Sequence, residues 1–226
     1  MTHATSSPYA RTANVSNYRE LAPLKVPGLF DLHRMAMLLL AERAPASARV
    51  LVVGAGGGME TRSMAQAQPG WRFTGVDPSP AMLDLARDTL RDVEDRVTLL
   101  EGTVDRAPPG PFDGGTSILT LHHVSPAERL HTLRSIHQRL KPGARLVVAG
   151  HSGAEETPEK WMTRSVAFGD RDALDWNRSM DTAREMVERL HLLTSSEEME
   201  MLREARFSEV QLFFAAFSFR GFVATA

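Results

Sequence analysis

Arg49-Val-Leu-Val-Val-Gly-Ala-Gly-Gly-Gly58 decides the fold. Val50 to Val53 is an unbroken apolar run rich in valine, the composition of a strand buried on both faces in a parallel sheet. It runs directly into Gly54, Gly56, Gly57 and Gly58, where the backbone can turn sharply and come close to a ligand. A helix is predicted to follow, starting near Met59. Open α/β sheets bind ligands at such a strand–glycine–helix turn, beyond the carboxyl end of the strand. Taken alone, the same pattern also describes a tight turn that binds nothing.

The next strand narrows the choice. Residues 71–76 read as a strand that ends at Asp77, 23 residues beyond Gly54. An acidic residue about 20 positions after such a loop is placed to accept hydrogen bonds from ribose hydroxyls. The expected ligand therefore contains a nucleoside, and two classes fit: a nicotinamide dinucleotide or S-adenosylmethionine. A dinucleotide fingerprint needs a small residue at its third glycine position so that the helix can pack closely. Met59 occupies that position. The clustered glycines suit a ligand without a pyrophosphate, which favours S-adenosylmethionine.

Outward from this unit the chain alternates. On the amino-terminal side, residues 1 to about 20 are polar and turn-rich, expected to be mobile or draped over the surface. After the turn Val26-Pro27-Gly28, Leu29, Leu32, Met35, Ala36, Leu39 and Leu40 have helical spacing, and Pro45 ends that helix. Residues 1–44 are thus read as a covering segment and helix. On the carboxyl side, the helix over 58–67 stops at Pro69-Gly70. Ser79 and Pro80 start a second helix, which runs to about 91, before a strand over 97–100. A strand over 115–121 follows the loop Pro108 to Pro111. Ser125-Pro126-Ala127-Glu128 reads as a capping box for a helix to Leu140. Lys141-Pro142-Gly143 is a stop, and 145–149 is the fifth strand. Residues 155–206 read as successive helices, an insertion or lid, the last capped by Ser195-Ser196-Glu197. Strands over 208–214 and 217–225 close as a hairpin. The predicted fold is one α/β domain over 1–226. It is a doubly wound, mostly parallel, seven-stranded Rossmann-like sheet ending in an antiparallel hairpin, with helical additions.

Composition sets outer limits. The 226 residues are 42% hydrophobic and 24% charged, ordinary for a globular protein. No apolar run approaches the ~18 residues of a membrane span, and the first ten residues lack the apolar core of a signal peptide. Cytoplasmic placement is the expectation, with a homodimer left open. The absence of cysteine excludes a thiolate nucleophile and a zinc–thiolate site. A net charge of −2 argues against a broad nucleic-acid surface.

The layout resembles the class I S-adenosylmethionine-dependent methyltransferases. The matching segments are Val50 to Gly58, Gly75 to Met82, Phe112-Asp113, Leu119-Thr-Leu-His-His123 and Leu140-Lys-Pro-Gly143. A narrower resemblance covers most of the chain from residue 26. Val26-Pro-Gly28, Ser125 to Arg129, Ala183 to Glu188 and Phe217 to Ala224 look like the carboxy-S-adenosylmethionine synthase branch. That branch makes a carboxylated cofactor from S-adenosylmethionine and prephenate for wobble-uridine modification in tRNA. The resemblance implies that Arg184 meets the substrate. It also places Leu29 where the branch has tyrosine and Ile118 where it has asparagine, which points to a relative with a different reaction.

The resemblance also implies the site. Gly54, Ala55 and Gly56 would expose backbone groups to the methionine part of the cofactor. Asp77, followed by Pro78, would take the ribose, and Thr103 and Val104 the adenine. Ile118 and Leu119 would complete the cleft. A sulfonium methyl is already activated, so the enzyme chiefly aligns the acceptor and excludes water; a base is needed only for an acceptor that carries a proton. His122, His123 and His151, at the ends of the fourth and fifth strands, are the candidate bases. No metal site is expected, because no carboxylate accompanies these histidines at ligand spacing. Arg184 would fork onto an acidic group of a small acceptor, with Leu29 in the pocket wall. The sequence thus predicts an S-adenosylmethionine-dependent methyltransferase acting by direct displacement on a small, anionic molecule, with S-adenosylhomocysteine as product. The alternatives are a carboxy-S-adenosylmethionine synthase-like enzyme and a catalytically silent module that binds the cofactor.

Overall fold

The computed structural model describes residues 15, 17–154, 157–171 and 174–226. Seven strands form one sheet: β1 (Arg49–Val53), β2 (Arg72–Asp77), β3 (Val97–Glu101), β4 (Phe112–Ile118), β5 (Leu140–His151), β6 (Ser208–Ala216) and β7 (Phe219–Thr225). Their spatial order is β3-β2-β1-β4-β5-β7-β6. The first five run parallel, and β7 is antiparallel to both β5 and β6. The helices are α1 (Tyr18–Lys25), α2 (Leu29–Ala41), α3 (Met59–Ala67), α4 (Pro80–Thr89), α5 (Pro126–Arg139), α6 (Pro158–Gly169), α7 (Trp176–Arg189) and α8 (Ser195–Glu204).

The apolar run of β1 is buried on both faces because successive side chains point to opposite sides. Val50 and Val52 join Leu32, Leu40, Met64 and Val147 on one face. Leu51 and Val53 join Leu133, Ile136, Leu146 and Val148 on the other. Helices α2 and α3 cover the first face, and α5 and α8 the second. The predicted doubly wound sheet and its hairpin end are thus observed. Asp113 locks three strands together at the amino-terminal side: its carboxylate accepts the Arg49 N–H at 2.8 Å and Lys141 Nζ at 2.5 Å.

Local signals place most helix starts. The Ser79 hydroxyl accepts the Met82 N–H, and Pro80 opens α4. The Ser125 hydroxyl accepts the Glu128 N–H, and Pro126 opens α5. The start of α8 departs from expectation by one residue. Thr194 is the cap, because a capping box sets its glutamate three positions after the cap, here Glu197. The fourth strand also shifts, to Phe112–Ile118, because Leu119 turns to φ 59° and Leu121–His123 form a 3-10 turn. The stop at Lys141-Pro142-Gly143 lies inside β5 rather than before it. Residues 1–14 and 16 of the expected draped segment lie outside the described residues, but from Tyr18 the chain is helical. Residues 155, 156, 172 and 173 of the expected helical insertion are also outside them. No helix among the described residues is long and apolar enough to cross a membrane.

Candidate active site

The strand order reverses between β1 and β4, so their carboxyl ends diverge and open a crevice at the sheet's switch point. The glycine loop borders it. Gly54 and Ala55 both donate their N–H to Val76 C=O at 2.9 Å, and Gly54, Gly56 and Gly58 take positive φ of 78°, 50° and 79°. Gly54 is closed to any side chain: a Cβ there would lie 2.0 Å from Thr120 Oγ1. Gly56 has open space by comparison, its nearest neighbour being Met82 Cε at 3.4 Å.

Asp77 binds the loop to the end of β2. One carboxylate oxygen accepts the Gly56 N–H at 2.9 Å and the other the Ser79 N–H at 2.9 Å. Burial raises its pKa, and these two backbone bonds oppose that rise. Each oxygen keeps lone-pair capacity for a ligand hydroxyl. Capping α4 falls to Ser79, which leaves Asp77 to the loop and the crevice. Thr103, after β3, donates its hydroxyl to Asp105 at 3.3 Å. Val104 is buried in the core with Leu51 and Val53, and Pro78 is exposed. Ile118 is a core residue, whereas Leu119 faces a cavity. The donor set fits S-adenosylmethionine: a carboxylate for ribose hydroxyls and loop backbone without a Cβ for the amino-acid part.

Beside Leu119 lies a cavity of about 710 Å³, walled by α1, α6 and α7 and floored by His122, His123, His151 and Phe219. All three candidate imidazoles are therefore brought together. Ring centroids of His122 lie 4.3 Å from His123 and 5.1 Å from His151, and His151 lies 4.0 Å from Phe219. His122 Nδ1 accepts the His151 backbone N–H at 3.2 Å. Room for this comes from Gly150, whose Cβ would sit 2.5 Å from that nitrogen. His151 Nδ1 bonds Ser218 Oγ at 2.7 Å, and Ser218 Oγ bonds Ser165 Oγ at 2.6 Å. Burial drives His122 well below the ordinary imidazole value, assisted by its histidine neighbours and Arg129. Burial and then the Arg189 charge lower His123 to about 4, and burial and then His123 lower His151 to about 3. At neutral pH the three rings carry no charge.

The substrate residues distribute differently from expectation. Arg184 lies on the exposed side of α7, donating to Asp181 at 2.9 Å with Glu159 3.9 Å away, and it is not among the cavity-lining residues. The lining cations are Lys25, Arg178 and Arg189, of which Arg178 pairs with Asp170. Leu29 is buried in the core at the start of α2, outside the cavity wall. Arg129, from the Ser125 to Arg129 motif, is a buried clamp. It pairs with Glu198 at 2.6 Å and donates to His191 C=O, while His191 N–H reaches His122 C=O at 3.0 Å. Thr120, Gly150, Ser165 and Ser218 were not singled out from sequence. Gly150 alone carried a local sign, a glycine set directly before a candidate histidine. Among the described residues no group of three or more His, Asp or Glu is placed to hold a metal ion.

Residues 51–146, which hold the glycine loop, Asp77, Thr103 and Leu119, match the family model described as "Methyltransferase domain". The matched stretch, less than half of the chain, is similar to methyltransferase domains. The chain is 25% identical over 97% of its length to the carboxy-S-adenosyl-L-methionine synthase of Chromohalobacter salexigens, covering 86% of that protein. It is 26% identical over 92% of its length to the synthase of that name from Erwinia tasmaniensis, covering 87% of it. In fold it is similar to the solved structure of PigF with SAH, with a TM-score of 0.70 and 21% identity; 96% of the chain aligns, spanning 61% of that structure.

Proposed function

We propose that this protein transfers the methyl group of S-adenosylmethionine to a small, anionic acceptor held in the cavity beside Leu119. The observation that carries this is the 710 Å³ space opening directly off the β4 end of the cofactor crevice, of a size suited to a small molecule. The cofactor supplies a methyl group on a positively charged sulfur, a good leaving group. The protein's part is then to hold and align. The loop at Gly54 to Gly56, Asp77, Thr103 and Leu119 bind the cofactor. Helices α1, α6 and α7 keep water away from the acceptor, and alignment supplies most of the rate. Arg189 and Lys25, both exposed at the cavity wall, attract the acceptor's negative charge. Arg189 takes the role expected of Arg184.

The Arg189→Met variant should raise the acceptor's Michaelis constant about tenfold with cofactor affinity unchanged, since it deletes the charge and keeps most of the stem. Arg184→Met should change neither. The reverse pattern would return the role to Arg184.

A second reading, carboxy-S-adenosylmethionine synthesis, is favoured by the likeness of both synthases over more than nine tenths of the chain. Leu29 and Ile118 do not decide against it, since both are core residues here. Mass spectrometry after incubation with S-adenosylmethionine and prephenate does. A carboxylated cofactor at catalytic turnover would establish the second reading over the first.

A further inference from the structure

We propose that the acceptor is methylated on a carboxylate oxygen, which arrives already deprotonated, and that no histidine of the cavity acts as a base. This rests on the reading that a small anion is methylated there, and adds the identity of its reacting group.

The hydrogen bonds of two rings carry the inference. His122 Nδ1 is occupied by the His151 N–H at 3.2 Å, so the neutral ring holds its proton on Nε2. It can donate from that nitrogen but not accept. Taking a proton at Nδ1 would break the backbone bond in a space so tight that no Cβ fits at Gly150. His151 has a different partner, the Ser218 hydroxyl at 2.7 Å, itself bonded to Ser165. A histidine base becomes imidazolium, and in hydrolytic triads a buried carboxylate on Nδ1 offsets that charge. Two neutral hydroxyls do not. Burial first, and then the positive charge of Arg189, oppose protonation of His123. The low pKa values of His123 and His151, about 4 and about 3, agree.

The charged groups lining the cavity are Lys25, Arg178, Arg189, Asp170 and Glu185, with Asp170 neutralised by Arg178. The remaining cations and the His122 Nε2–H suit a carboxylate. The step balances without a proton. A lone pair of the carboxylate oxygen forms the new carbon–oxygen bond, the carbon–sulfur bond breaks with its pair left on sulfur, and the opposite charges of donor and acceptor cancel. A water-poor cavity favours that loss of charge. A phenol, alcohol or amine acceptor would need somewhere to put its proton.

The test uses the full chain with S-adenosylmethionine, a panel of small aromatic and aliphatic carboxylates headed by benzoate, and the matching alcohols and phenols. Mass spectrometry should find methyl esters and no ethers, with kcat varying less than about twofold between pH 5.5 and 8.5. Nitrogen-detected NMR of the imidazoles should show His122 as the Nε2–H tautomer and no titration of His122 or His151 over that range. His122→Phe should raise the Michaelis constant for the carboxylate about tenfold, and His122→Gln, which restores an N–H donor, should recover most of it. Ether products, with kcat falling tenfold per pH unit below a midpoint near 6 to 7 and a cavity histidine titrating in step, would overturn the inference and leave methyl transfer standing. Donor that binds but is consumed with no probe of either class would overturn methyl transfer to small acceptors, and this inference with it.

Discussion

Gly54→Ala tests the glycine loop more sharply than any other single change. The new Cβ would lie 2.0 Å from Thr120 Oγ1, 2.5 Å from Cγ2 and 2.7 Å from Cβ, and it would sit on a backbone at φ 78°. The left-handed conformation costs a residue with a Cβ about 1–2 kcal/mol. Overpacking typically adds about 1–3 kcal/mol. The expected loss is therefore about 2–5 kcal/mol, read as a fall of about 1–2 M in the urea midpoint by far-UV circular dichroism. Gly56→Ala shares the backbone cost but meets nothing closer than 3.4 Å, so it should lose only about 1–2 kcal/mol. The two variants thus separate crowding from conformation. Thr120→Gly in the Gly54→Ala background removes all three close atoms and should return about 1–3 kcal/mol. Thr120→Ala should return less, because its Cβ remains at 2.7 Å. Equal stability of the Gly54→Ala and Gly56→Ala proteins, or no recovery with Thr120→Gly, would refute the contact between the two loops.

Other residues make separate claims. Asp77→Ala removes the charged acceptor at the crevice and should weaken S-adenosylmethionine binding about ten- to a hundredfold in titration calorimetry, corresponding to roughly 1.5–3 kcal/mol; an unchanged affinity would remove Asp77 from the cofactor site. Glu60, in the first turn of α3, is buried with Oε1 unpartnered, and burial pushes its carboxyl up to about 7 against the pull of Thr116. Its folded value exceeds the unfolded one, so its contribution is full below the unfolded value of about 4.5 and is lost as pH rises through about 7. Glu60→Gln should therefore stabilise the protein at pH 8, by up to about 3 kcal/mol, and flatten the decline between pH 5 and 8 seen in urea titrations; an identical decline in the variant would contradict this. Arg129→Met leaves Glu198 buried without its partner and should cost about 3–5 kcal/mol, while adding Glu198→Leu should restore much of that in the same titrations.

The parts legible in the sequence are those set by neighbours along the chain. β1 announced itself through four apolar residues because a strand covered on both faces needs every position apolar. Ser79 and Ser125 were readable as caps because a cap acts three residues ahead. The failures come from rotation and distance. Arg184 and Arg189 are five positions apart on α7, about 140° around the helix at 3.6 residues per turn. Which of them faces the cavity depends on how α7 packs against α6. Leu29 and Ile118 matched polar pocket positions in the resemblance, but the core claims both here. Thr120 over Gly54 joins two strand ends, and Ser218 against His151 joins residues 67 apart; neither contact leaves a periodic trace. The three histidines were found because they stand at strand ends. Their lack of charge was not, since it follows from burial.

The position of β7 has a consequence for assembly. It is the last strand in sequence, yet it lies between β5 and β6, and its start supplies Phe219 beneath the His151 ring. β6 therefore has no place beside β5 and joins the sheet only through β7, as the outer arm of the hairpin. The crevice, built from β1 to β4, needs none of this. Every side-chain contact described for the His151 ring, by contrast, involves His122 or the hairpin end at Ser218 and Phe219. Contacts so distant along the chain are slow to close. As the chain emerges during synthesis, β1 to β4 and the crevice between them precede the hairpin end that carries Ser218 and Phe219, so the proposed donor site comes before the completed floor of the proposed acceptor cavity in time as well as in space.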